Sequence, residues 1–572
     1  SITVTIKVCK MFVEIAILIY DSKCNLTARI DSGWVCGSLR DAGFNVKYAS
    51  FRGIPYARQP LGKLRFKELQ PVPKWSHHFF ATEEGPVCPQ EDVLYGELVK
   101  PFREMNESCL YVNVHVPLNA FYKNNHDSTG PTHKRGEDGL PIFVFVHGGG
   151  FSYGSGDADL HGPEYLVRKG FIVITFNYRL NVFGFLSLDT PEIPGNAGLR
   201  DQLTVLRWVQ RNARAFGGDP NEITLAGQSA GAVSSHLLAL SNQSSGLFKR
   251  LILMSGTGVP AFYTASPNYA RQVADMFLKA VGVNTTDSRE IHNQLVHMPI
   301  EKIMKANREL LYDVASGTAS FMPVVDSYHP GVTRIVDDDP VTLILNGRDK
   351  KYPIIVGLTD NECESFRTRF EQIDLINRIK KNPTMILDTR LQFLTTPDVG
   401  LHLATLVIDR FFDEGLNMDD FMAPCRDTLI KYPAFLLGRW RRTINSAPTY
   451  VYQFTYESDY SALKNALNIQ YDGNAHIEDI FYLFQADSFL TRYSQSVKTS
   501  ARDEQMKEWM TTFVVNFMRC GEPIAIPGTK FVSHRYLSHI TSENNFEKSL
   551  VGRALAHWAT ETEAIKIPYN LE

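Results

Sequence analysis

At 572 residues, 44% hydrophobic and 21% charged, the chain has the composition of a globular protein with a sizeable core, which excludes a disordered or fibrous class. Its formal net charge of −3 supplies no basic field, so neither nucleic acid nor an anionic membrane is expected as a partner. Eight cysteines in this length are too few for a disulfide-built scaffold.

The first apolar run, Met11 to Tyr20 (MFVEIAILIY), carries Glu14 and falls well short of the roughly 18 residues needed to cross a bilayer. Residues 1–29 are read as a poorly ordered N-terminal segment, with any signal peptide already removed, because no small-residue cleavage site follows the run. Sequons at Asn25, Asn106, Asn242 and Asn284 are candidates for glycosylation. Cys88 and Cys109 bracket a polar loop that one bridge could staple. Together these favour an oxidising, secreted setting. Asn119 to Gly139, polar and rich in turn formers, reads as a surface loop.

Apolar runs follow at Pro141–Val146, Phe171–Phe176, Ile223–Ala226, Leu251–Met254, Ile354–Val356 and Tyr450–Phe454. Short continuous runs of this kind are the pattern of strands buried on both faces. Between the second and third, Leu199, Leu203, Leu206, Val209, Ala213 and Phe216 recur at spacings of three and four, which predicts an amphipathic helix. Strand, helix, strand in this order implies an α/β fold: a large, mostly parallel twisted sheet with helices on both faces and ligands at the carboxyl ends of its strands. Two stretches, about 260–350 and 365–445, are helical in pattern and are expected to build walls over that site. The C-terminal KIPYNLE is neither an apolar anchor signal nor a retrieval sequence, so no membrane anchor is expected.

Gly227-Gln228-Ser229-Ala230-Gly231 directly follows the third strand and opens an apolar helix, AGAVSSHLLAL. That is the strand-turn-helix setting of a nucleophile elbow, whose glycines admit a turn too tight for a Cβ. A G-x-S-x-G arises by chance about 0.2 times in a chain this long, so its weight comes from its context. Upstream, His147-Gly148-Gly149-Gly150-Phe151 also follows a strand, where such a fold places the other half of an oxyanion hole. A serine nucleophile needs a histidine base and an acid to fix that base's tautomer, in the chain order Ser, acid, His. Gly357-Leu358-Thr359-Asp360-Asn361-Glu362-Cys363-Glu364 follows a strand and offers three carboxylates. Gly473-Asn474-Ala475-His476-Ile477-Glu478-Asp479 supplies one of 16 histidines. Residue chemistry alone leaves Asp360, Glu362 and Glu364 in competition.

At these motifs the sequence resembles the type-B carboxylesterases, the α/β-hydrolase family of cholinesterases and insect esterases. Phe216-Gly217-Gly218 leading to the Gln228-Ser229 elbow fits the family's nucleophile signature, and Glu107 to Pro117 (ESCLYVNVHVP) fits its second. The likeness runs from about Ile30 onward and implies one catalytic domain over 30–572. It implies Ser229, Glu362 and His476 as the catalytic set, and a Cys88–Cys109 disulfide as the one bridge. Cys363, beside the proposed acid, is read from its chemistry as a small buried apolar residue and not a nucleophile. Arg65-Phe66, Asp201-Gln202, Gln228 in the elbow where most relatives carry Glu, and Gly473-x-x-His476-x-x-Asp479 resemble the moth juvenile hormone esterases within that family. So do longer stretches such as GSGDADLHGPEYL. Arg65, Asp201 and Gln202 are expected to be structural.

The chemistry implied is acyl transfer without metal or organic cofactor. His476 takes the Ser229 proton, Glu362 orients the imidazole, and backbone N–H groups of Gly149, Gly150 and Ala230 hold the oxyanion. The expected partner is a small apolar ester, the methyl ester of juvenile hormone ahead of odorant or general esters, bound in an apolar tunnel with Phe151, Phe262 and Phe321 as wall candidates. A monomer is favoured. A cholinesterase is disfavoured because the Cys88–Cys109 loop has no tryptophan for a quaternary ammonium. A non-catalytic, cholinesterase-like adhesion protein is disfavoured because Ser229, Glu362 and His476 occur together.

Overall fold

The computed structural model describes residues 24–91, 95, 103–125, 139–259, 264–313, 321–387, 395–412, 415–458, 460–487, 500–523 and 530–533. Its strands in chain order are β1 (Thr27–Ile30), β2 (Gly33–Cys36), β3 (Ser38–Asp41), β4 (Lys47–Pro55), β5 (Phe79–Phe80), β6 (Tyr111–Pro117) and β7 (Leu140–Val146). Then come β8 (Ile172–Phe176), β9 (Gly218–Gln228), β10 (Arg250–Met254), β11 (Ile354–Thr359), β12 (Thr449–Phe454) and β13 (Lys530–Ser533). Two helices matter most for the site, α1 (Ala197–Asn212) and α2 (Ala230–Leu240).

A ten-stranded sheet runs in the order β13-β12-β11-β10-β9-β7-β8-β6-β4-β3, and β1, β2 and β5 form a small second sheet. The six strands from β12 to β8 run parallel to one another. They are the six apolar runs of the sequence, each at or within a few residues of its expected bounds. The flanking pairs, β3–β4, β4–β6, β6–β8 and β12–β13, are antiparallel.

Alternation along the central strands divides the core into two layers. Ile142, Val144, Val146, Leu225, Leu251 and Leu253 pack on one face with Leu199, Leu203, Leu206 and Val209 of α1 and Val233 and Leu237 of α2. Phe143, Phe145, Ala226, Ile252 and Met254 pack on the other with Met510, Phe513, Val514 and Phe517 of the helix Ala501–Cys520. Burial on both faces is why these strands read as unbroken apolar runs. The helix predicted from Leu199 to Phe216 is α1 followed by a 3₁₀ turn, Ala213–Phe216. The two helical stretches carry, among others, Pro267–Ala280 and Ser288–His297, then Pro397–Phe411 and Tyr432–Thr443. No described helix is long and apolar enough to cross a membrane.

Three disulfides form among the described residues: Cys24–Cys36, Cys88–Cys109 and Cys363–Cys425. The expectation of a single bridge is therefore corrected, and with it the reading of Cys363 as an unbonded apolar residue. Cys363 and Cys425 are 62 positions apart, and connectivity over such a distance is decided by the fold, since sequence alone allows many pairings. Cys24–Cys36 ties the end of the expected N-terminal segment to β2, and within that segment Thr27, Ala28 and Arg29 already pair with β2.

Candidate active site

β9 ends at Gln228 and α2 begins at Ala230, so Ser229 alone makes the turn. It does so at φ 55°, ψ −125°, in the region that residues with a Cβ rarely enter. The turn is held from both sides: the Ser229 N–H donates to the Met254 carbonyl at 2.8 Å, and the Ser229 carbonyl accepts from Val233 N–H at 3.0 Å. The elbow glycines are required by contact. A Cβ on Gly227 would lie 2.2 Å from the Gly231 carbonyl oxygen, and one on Gly231 would lie 2.1 Å from that of Val146.

The loop after β7 closes against this turn. A Cβ on Gly148 would stand 3.0 Å from the Ser229 Cβ, and Gly149 and Gly150 turn at φ 107° and 59°. Tyr178 braces the loop from behind: its hydroxyl donates to the His147 carbonyl at 2.9 Å, and its ring stacks on the His147 imidazole at 4.4 Å between centroids. His147 Nδ1–H donates to the Gly148 carbonyl at 2.8 Å. Burial pushes the His147 pKa down to about 4, so this imidazole is neutral at physiological pH and adds no charge beside the serine.

Of the three competing carboxylates, Glu362 meets the histidine. Its Oε1 accepts from Thr359 N–H at 2.8 Å and from the Ser255 hydroxyl at 2.7 Å, and its Oε2 lies 2.6 Å from His476 Nδ1. The two loops are also joined by His476 N–H to the Glu362 carbonyl at 3.1 Å and by Asn361 N–H to the Asn474 carbonyl at 2.9 Å. Asp360 accepts from Asn474 N–H at 2.7 Å and so holds the turn before His476, while Glu364 is engaged by the Arg367 guanidinium. Glu362 and His476 are both buried, and Phe366 covers the imidazole with its ring centroid 5.2 Å away. On its remaining edge, His476 Nε2 lies 3.0 Å from the side-chain amide nitrogen of Gln228, the residue before Ser229. Residues 229, 362 and 476 thus come to one rim of the sheet, after β9, β11 and β12.

Further contacts at the site were not singled out from the sequence. Ser255 sits at the carboxyl end of β10 with φ 51°; a polar residue at that end of a central strand is the hint that would have found it. Tyr452, on β12, donates its hydroxyl to Asp479 at 2.7 Å beneath the histidine loop. Burial raises the Asp479 carboxyl to about 7.

Arg65 pairs with Glu107 and donates to the Met298 carbonyl at 2.9 Å, Arg179 pairs with Asp201 at 2.6 Å, and Gln202 donates to the Ser234 hydroxyl at 3.2 Å. These contacts tie loops and helices together, which fits the structural role expected of Arg65, Asp201 and Gln202. Phe151 packs edge-on to Phe185 and Phe321 edge-on to Phe277, both buried in the larger core. Phe262 lies outside the described residues. Asn25, Asn242 and Asn284 are exposed, whereas Asn106 is half-buried and accepts from Ser108 N–H at 2.9 Å.

Comparison with known proteins finds relatives over most of the chain. The chain is 48% identical over 499 residues to a juvenile hormone esterase of Heliothis virescens, covering 87% of this chain and 86% of that one. It is 31% identical to a carboxylic ester hydrolase of Bombus ignitus over 84% of this chain and 82% of the other. In three dimensions it matches the crystal structure of the juvenile hormone esterase from Manduca sexta with OTFP covalently attached. That match has a TM-score of 0.80, 47% identity, and coverage of 88% of this chain and 91% of the other. Residues 25–551 match the carboxylesterase family, and the chain therefore belongs to that family of α/β-hydrolase ester hydrolases.

Proposed function

We propose that this carboxylic-ester hydrolase acts on the methyl ester of juvenile hormone, through an acyl-enzyme on Ser229. The observation that carries the reading is the Glu362–His476 contact at 2.6 Å, set beside the strained turn that presents Ser229. With Nδ1–H committed to Glu362, the imidazole keeps its lone pair on Nε2, the nitrogen nearest the elbow, as a general base must. His476 takes the serine proton as Oγ bonds to the ester carbonyl carbon. The C–O electron pair moves onto oxygen, held by the N–H groups of Gly149, Gly150 and Ala230. The imidazolium then protonates the leaving methoxide, methanol departs, and water activated by the same histidine releases the hormone acid and frees Ser229. One oxyanion donor is typically worth about 10²–10³ in rate, and a conjugated ester, less electrophilic than an acetate, leans on that hole more heavily.

The substrate assignment rests on the 48% and 47% identities to two moth juvenile hormone esterases. A secreted enzyme is supported by the three disulfides together with the exposed sequons at Asn25, Asn242 and Asn284. A fluorophosphonate probe should label the protein and fail to label Ser229→Ala; equal labelling of both would remove the nucleophile assignment. Steady-state kinetics should show a higher kcat/KM for juvenile hormone than for short aryl acetates. The reverse order would replace the hormone with general or odorant esters.

A further inference from the structure

Gln228 occupies a position at which two halves of the site meet. The residue is 3% exposed. Its amide nitrogen lies 3.0 Å from His476 Nε2, and its amide oxygen lies against Gly148, where a Cβ would approach it to 2.5 Å. One planar group thus spans from the oxyanion loop to the base. The direction of the bond to His476 is set by the other edge of the ring. Nδ1 faces a carboxylate and carries the proton, so Nε2 holds a lone pair, and an amide NH2 can only donate to it. That lone pair is the one that must receive the Ser229 proton. Two donors, the Gln228 amide and the Ser229 hydroxyl, therefore compete for one acceptor.

We infer that Gln228 is a positioning residue whose amide N–H caps His476 Nε2 in the resting enzyme, fixing the ring as its Nδ1–H tautomer and withdrawing when that nitrogen takes the serine proton. This rests on the reading of His476 as the base. A protonated Nε2 has no lone pair to accept the amide N–H, so the contact is made only with the neutral ring, and removing the donor is expected to move the acid limb of activity upward. The charged groups facing the ring are few. Glu362 lies at Nδ1, Asp479 interacts with the imidazole through space from its own loop, and Glu478 is turned away to Ser461 and Tyr471. Phe366 covers the ring face and does not titrate. The elbow contributes no charge, because this position carries an amide.

The test is the pH dependence, from about pH 5 to 9, of the second-order rate constant for inactivation by a fluorophosphonate, which reports the free enzyme. Gln228→Met keeps the length and loses the donor, and the acid limb should rise by about half to one pH unit, the worth of one neutral hydrogen bond. Gln228→Glu puts an anion at the same spot and should raise it further. A limb that is unmoved or lowered in Gln228→Met overturns the cap, and an unmoved limb in Gln228→Glu overturns the contact itself. Circular dichroism identifies a variant that fails to fold, in which case the other carries the test. Labelling of the wild type that survives Ser229→Ala would instead sink the nucleophile assignment, a different result from intact labelling with an unmoved limb.

Discussion

Both oxygens of Glu362 are committed, and this makes its replacement informative. In Glu362→Gln the amide oxygen is the group able to accept from Thr359 N–H and Ser255 Oγ, which leaves the NH2 facing His476 Nδ1. That nitrogen then cannot donate, the imidazole shifts its proton to Nε2, and no lone pair remains for the serine. Turning the amide over restores an acceptor to the histidine only by setting NH2 against a backbone N–H. We expect kcat to fall by about 10³–10⁴-fold with KM nearly unchanged, measured in steady-state ester hydrolysis. A loss below tenfold would show that another acid does the orienting. Asp360 and Glu364 are the controls: one braces the histidine loop and the other is held by Arg367.

Among the elements, each loop that carries a proposed catalytic residue takes its place from the strand it leaves and from the contacts that pin its far side. Cys363 adjoins Glu362 and is bonded to Cys425 in the helix Met418–Arg426, so the loop after β11 is anchored to the helical wall. Closing 62 residues restricts the unfolded chain by about 4 kcal/mol in the loop-entropy account. The double replacement Cys363→Ser, Cys425→Ser should lower stability by up to that amount in chemical denaturation under oxidising conditions. It should also reduce kcat, because Glu362 loses its neighbouring tether. Unchanged stability and rate would make the bridge incidental.

For the molecule as a whole, stability depends on pH through groups whose pKa differs between the folded and unfolded chain, and Asp479 offers a clean case. Burial raises its carboxyl from 3.8 to about 7, so the folded state binds this proton more tightly than the unfolded one. Its contribution is fully present below about pH 4 and is lost as pH rises through 7. The shift corresponds to something on the order of 4 kcal/mol across that window. Asp479→Asn keeps an acceptor for the Tyr452 hydroxyl and removes the titration. Its melting temperature should therefore exceed that of the wild type at pH 8 by more than at pH 4.5. A gap that does not widen with pH would mean that Asp479 stays charged in the fold.

Features encoded locally were legible in the residues. The six central strands could be read because burial on both faces leaves no room for polar alternation, and α1 because its apolar positions recur at helical spacing. The elbow and the glycine loop were legible because steric demands leave a residue signature. β1 to β6 were not: β4, KYASFRGIP, is buried along most of its length yet mixes polar and apolar residues, so it is recognised only once paired. Family resemblance, not residue chemistry, separated Glu362 from Asp360 and Glu364. Contacts that join distant segments emerge only in the folded chain: Cys363 to Cys425, Ser255 to Glu362, and the Gln228 amide to the histidine 248 positions away. Each depends on where parallel strands bring their carboxyl ends together, a relation in space that no single stretch of chain carries.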